Sequence, residues 1–161
     1  VIHAGWFPPW RRPLPTAEHE HTPPQVRRQL ITVPVQSGAV RTARLEVSDA
    51  LTKFGIAADS SLAGAALLVA SELVTNVVRH AAESSPTAGV GVTVGDGQLV
   101  IDVTDQSARL PALEGNAMGD GLRTVAELAA HYDGKVHVER ARDGRGKMIL
   151  VHFMLPDSDG G

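Results

Sequence analysis

Glu72 and Asn76 stand four residues apart in Ser71-Glu72-Leu73-Val74-Thr75-Asn76, and His80 follows four residues later. On a helix this spacing stacks the three side chains in one row. A carboxylate and an amide oxygen are hard donors that can orient water and coordinate Mg²⁺, an ion that keeps several waters and takes few protein ligands. By spacing alone the row reads more simply as the polar edge of an amphipathic helix. Asp105 ends the alternating run Ile101-Asp102-Val103-Thr104-Asp105, where strand gives way to loop. A carboxylate there can accept a hydrogen bond from an exocyclic amine such as that of adenine, or can satisfy local backbone amides as a turn residue. Gly119-Asp120-Gly121-Leu122 opens a helical pattern. Its two glycines let backbone amides approach phosphates at the positive end of a helix dipole, although a Gly-x-Gly alone also fits a plain flexible loop.

These residues need elements to position them. Leu30 to Val35 is a short β-rich run. Val40, Ala43, Leu45, Val47, Leu51 and Phe54 then suit a helix stopped by Gly55. Asp59 or Ser60 caps a second helix, whose stripe Leu62, Ala66, Val69, Leu73 and Val77 faces a core and which runs to about Ala82. Two alternating runs, Val90 to Val94 and Leu99 to Val103, flank Gly95-Asp96-Gly97, the turn chemistry of an antiparallel hairpin. A Pro- and Gly-containing loop from Gln106 leads to a helix with Leu122, Val125, Leu128 and Ala129 on one face, ending near His131. Strands at about Lys135 to Arg140 and Lys147 to Leu155 complete an α+β pattern, a mixed sheet with helices on one face.

The 161 residues fit one core, and a net charge of −3 offers no basic field for direct nucleic-acid or anionic-membrane contact. The absence of cysteine excludes disulfides and thiolate chemistry and fits a cytoplasmic address. No uninterrupted apolar run approaches the roughly 20 residues of a membrane span, and Pro8, Pro9, Arg11 and Arg12 break any signal-peptide core. Residues 1–28 contain Pro8, Pro9, Pro13, Pro15, Pro23 and Pro24 and read as an extended arm, followed by a folded domain at 29–156 and a short tail at 157–161. Within the arm, Trp6, Phe7 and Trp10 can anchor to an apolar groove or pack on their own domain. His19, Glu20 and His21 are adjacent on an extended segment and do not converge as metal ligands.

Taken in order, the block Ser71 to Ala81, the strand ending at Asp105 and Gly119-Asp120-Gly121-Leu122 resemble the GHKL (Bergerat-fold) ATPases, and within them the RsbW-like anti-sigma-factor serine kinases. The resemblance covers about Leu30 to Leu155. It implies a two-layer α/β sandwich with a mixed, mostly antiparallel sheet, and ATP and Mg²⁺ as cofactors. Glu72 matches the general base, Asn76 the Mg²⁺ ligand, and Asp105 the residue that recognises the adenine amine. Gly119 and Gly121, with Leu122 after them, match the end of the lid that admits the phosphates, and Arg79 and His80 fall at the basic end of the helix motif. The implied function is a serine/threonine protein kinase that binds a sigma factor and phosphorylates an antagonist protein, with a homodimer as one assembly. The alternative is a nucleotide-gated binding module with little or no kinase activity. Three positions depart from the family pattern. Asp105 is followed by Gln106 and Ser107 where Asp-x-Gly is usual, the last strand begins Gly146-Lys147-Met148-Ile149 without the expected threonine, and a lid arginine of the kinase members would align near Ala117 and is missing, leaving Arg109 and Arg123 as nearby cations.

Overall fold

Positive φ at Asp96 (51°) and Gly97 (71°) gives the hairpin a two-residue turn that matches the right-handed twist of its strands. It joins β2 (Thr87–Gly95) to β3 (Gln98–Asp105). The computed structural model describes residues 25–156; the arm residues before Gln25, with Trp6, Phe7, Trp10 and His19-Glu20-His21, and residues 157–161 lie outside them. β1 (Arg27–Pro34) pairs with β2, and β5 (Lys147–Met154) lies between β3 and β4 (Val136–Arg140). The order is β1-β2-β3-β5-β4 with every pairing antiparallel, which narrows the mixed sheet expected from the sequence to a purely antiparallel one. Arg27 and Arg28, read from composition as the end of the arm, already pair with Val94 and Thr93.

Helices α1 (Ala39–Lys53), α2 (Ser61–His80) and α3 (Asp120–His131) supply the other layer. α1 ends as anticipated at Gly55, whose φ of 84° lets the Ile56 amide turn back to the Leu51 carbonyl. Of the two candidate caps for α2, Ser60 is the one used, accepting from the Ala63 amide at 3.1 Å. Period-two alternation sends Val90 and Val92, Leu99, Ile101 and Val103, and Ile149, Val151 and Phe153 into the core beneath Val69, Leu73 and Val77 of α2. α2 is long and apolar enough to pass for a membrane span, with a mean hydropathy of 1.6 over an 18-residue window of its 20 residues, but half of that window is buried inside the domain. It is the central helix of a core, and its polar row is what the site uses.

Candidate functional site

One cavity of about 440 Å³ opens where α2, the ends of β3 and β5, the 106–119 loop and the start of α3 meet. That volume lies in the range of small-molecule sites. The row on α2 supplies Asn76 and His80 to its wall, with Leu73 and Val77 as its apolar floor. β3 contributes Asp105, the loop contributes Ser107, Arg109 and Leu110, and the opening of α3 contributes Gly119 and Leu122. Five of the residues singled out in the sequence, Asn76, His80, Asp105, Gly119 and Leu122, therefore share one cavity, although they come from three elements spread over 47 residues of chain.

Glu72 and Gly121 meet at the margin of this cavity. A Cβ at Gly121 would stand 2.5 Å from Oε2 of Glu72 and 3.9 Å from Oδ1 of Asn76, so glycine lets the Glu72 carboxylate rest against the start of α3 where any side chain would make it move. The Glu72 carboxylate thus lies beside the positive end of α3, where the helix dipole favours negative charge. Gly119 caps α3 without any side-chain hydrogen bond, and among the described residues no side chain accepts from the first amides of the helix. Arg79 is exposed and does not line the cavity, so it stands apart from the other candidates. Of the two nearby cations, Arg109 lines the cavity and Arg123 does not.

The residue missed by sequence reasoning is Lys147. It lies directly opposite Asp105 across the β3–β5 ladder. Its Nζ sits 3.0 Å from Oδ1 and 2.8 Å from Oδ2 of Asp105, and Oδ1 also accepts from the Ser107 amide at 2.8 Å. Both side chains are nearly sealed, 9% exposed for Lys147 and 5% for Asp105, and both line the cavity. The available signal was that the family's threonine has no counterpart in Gly146-Lys147-Met148-Ile149. The contact itself depends on a register between residues 42 positions apart.

The family profile described as the histidine kinase-like ATPase domain matches residues 33–154. The chain belongs to this family. As a histidine kinase-like ATPase domain it is an ATP-binding unit, and the five-stranded antiparallel sheet with three helices is the fold expected of one. Among solved structures, it is similar to the RsbU and RsbW domains of Rv1364c from Mycobacterium tuberculosis, with a TM-score of 0.60 and 20% identity over 80% of this chain. The chain spans 32% of that mycobacterial structure. It is also similar to the SiaB–SiaC complex from Pseudomonas aeruginosa, with a TM-score of 0.53 and 14% identity, covering 79% of this chain and 89% of the other. No match was found among curated proteins.

The residues present suit a magnesium nucleotide. The cavity has an acceptor at Asp105, and Asn76 offers an oxygen donor on the α2 side. Gly121 keeps the approach between α2 and α3 open. No group of three or more His, Cys, Asp or Glu forms a metal cluster among the described residues. Asn76 therefore suits an ion held mainly by phosphate and water.

Proposed function

We propose that the domain is an anti-sigma-factor-type serine/threonine protein kinase of the RsbW-like group, which binds a sigma factor in the cytoplasm and phosphorylates an antagonist protein from Mg²⁺-ATP. The observation that carries this reading is the convergence of Asn76, His80, Asp105, Gly119 and Leu122 on one cavity of about 440 Å³ within an ATPase-family fold. In the reading, Asp105 accepts from the adenine amine. Asn76 holds Mg²⁺, which supplies charge neutralisation at the triphosphate. The amides from Asp120 onward and the side chains of His80 and Arg109 receive phosphate oxygens. Glu72 takes the proton of the attacking serine hydroxyl as the phosphoryl group is transferred. The α2 motif is what favours the RsbW-like group, and the likeness to the mycobacterial RsbW-containing structure is consistent with it at the level of fold.

A second reading, a nucleotide-gated binding module, is favoured by two features. Glu72 lies against Gly121 outside the cavity wall, and Asp105 is already engaged by Lys147. Calorimetric titration with Mg²⁺-ATP, followed by tracking labelled phosphate onto co-purified partner proteins, separates the two. A kinase binds ATP and labels a serine, Asn76→Ala loses Mg²⁺-dependent affinity, and Glu72→Ala binds but does not transfer. Binding without transfer to a cognate antagonist selects the module. No binding at millimolar ATP rules out both.

A further inference from the structure

The base end of the cavity contains a cation as well as the expected carboxylate. A carboxylate offers about four lone-pair positions. Oδ1 of Asp105 accepts from both Lys147 and the Ser107 amide, whereas Oδ2 is contacted by Lys147 alone. Oδ2 therefore retains acceptor capacity. The Lys147 ammonium has three N–H donors, and its partner among the described residues is Asp105. The pair thus presents one acceptor and one donor side by side, fixed by direct cross-strand opposition and by burial on both sides.

We propose that Asp105 and Lys147 read the nucleobase as a dyad, and that Lys147 widens the site from adenine to guanine nucleotides. The proposal rests on the reading of this cavity as a nucleotide site. Adenine presents a 6-amino donor beside the N1 acceptor, so the amine reaches Oδ2 and N1 accepts from Lys147. Guanine reverses the order, with the O6 acceptor beside the N1–H donor. In the adenine pose a lone aspartate sets its carboxylate against O6, acceptor against acceptor, which leaves both groups unpaired at a buried position. With Lys147 alongside, guanine seated with its edge reversed relative to adenine accepts at O6 from the ammonium and donates from N1–H to Oδ2, both as charge-assisted bonds. Lys147 is in this view a specificity-determining residue that contacts the base, beyond its role in neutralising Asp105.

Calorimetric titration of the full chain with Mg²⁺-ATP and Mg²⁺-GTP tests this, with Lys147→Thr as the variant. The expected result is a GTP dissociation constant within about tenfold of that for ATP, a narrow gap for a buried polar site, where a missing partner costs about 10⁴-fold. Lys147→Thr is expected to weaken GTP at least about tenfold more than ATP. ATP binding with GTP more than tenfold weaker overturns the dyad and leaves the ATP site standing. Equal loss of both nucleotides in Lys147→Thr also overturns it, because Lys147 then only supports Asp105. If that variant does not fold, the wild-type GTP-to-ATP ratio decides alone. Failure of the wild type to bind either nucleotide removes the nucleotide site itself, a result distinct from failure of the dyad.

Discussion

Two carboxylates on β3, three residues apart, are buried on opposite faces of the same sheet, and each has one cation. Asp102 is 1% exposed on the face away from the helices, where Arg28 of β1 grips it through two nitrogens at 2.7 and 3.3 Å. Its room comes from Gly91, the residue opposite it on β2, where a Cβ would collide with the carboxylate. Asp105 lies on the helix-covered face and opens on the cavity with Lys147. Arg28 is 42% exposed and also donates to Thr93 at 2.8 Å, whereas Lys147 has almost no contact with water. The Asp102 pair ties the edge strand to the sheet and offers nothing to a ligand. The Asp105 pair carries a similar burial cost at a position where a ligand can use both partners. Burial and pairing alone do not separate a structural ion pair from a recognition site; the cavity does.

The strongest way to break this comparison is Lys147→Met. It leaves a sealed carboxylate without its cation, and the expected loss is about 3–5 kcal/mol of unfolding free energy in urea. Changing Asp105→Asn together with Lys147→Met should restore most of that stability while leaving ATP affinity impaired. Recovery of both would make the cavity pair no different in kind from the Asp102 pair.

Gly121→Ala acts on the cavity face without touching either ion pair. The added methyl meets the Glu72 carboxylate, which must swing aside from its place beside the start of α3. ATP affinity should fall at least about tenfold, equivalent to about 1.4 kcal/mol, as measured by calorimetry. Unchanged affinity would detach the start of α3 from the nucleotide. Arg28→Met is the counterpart on the open face. It strands the Asp102 carboxylate, but the cation removed is 42% exposed and water can enter in its place, so the expected loss is about 1–3 kcal/mol. ATP affinity should stay at the wild-type value, and a parallel loss of binding would mean that the two faces are coupled.

The local chemistry of the sequence carried most of the fold. Asp96-Gly97 marked the hairpin, Ser60 and Gly55 marked helix ends, and the stripe from Leu62 to Val77 marked α2. The row on α2 was equally visible, since Glu72 and Asn76 belong to one continuous segment. The pairings between distant segments were not legible. Lys147 faces Asp105 only because β5 enters beside β3 in one register, and Arg28 reaches Asp102 across 74 positions through a glycine whose clearance role no periodicity reveals. Composition also misplaced Arg28, because a proline-rich stretch just before it masked the first residues of an edge strand. Arg79 shows the opposite limit, for a residue adjacent in sequence to His80 does not line the cavity that His80 lines.

The smallest expected effect concerns acid, and it belongs to the open face. His152 of β5 sits two positions along from Leu150, the cross-strand partner of Asp102. Partial burial lowers its pKa below the ordinary value of 6.5, helped by His137 and Lys135 and opposed by Glu139. The His137 ring packs edge-on at 5.2 Å, and Nδ1 of His152 lies 3.2 Å from Oε1 of Gln98. A histidine with a depressed folded pKa binds protons less readily folded than unfolded. Its contribution to stability is therefore full above about pH 6.5, declines as pH falls from there through the folded pKa, and levels off below it. Urea titrations between pH 7.5 and 5 should show this decline, to be flattened by His152→Gln, with the ATP affinity of that variant unchanged at pH 7.5. An acid decline that persists in His152→Gln would move its origin to other groups, and an altered ATP affinity would link the open face to the cavity after all.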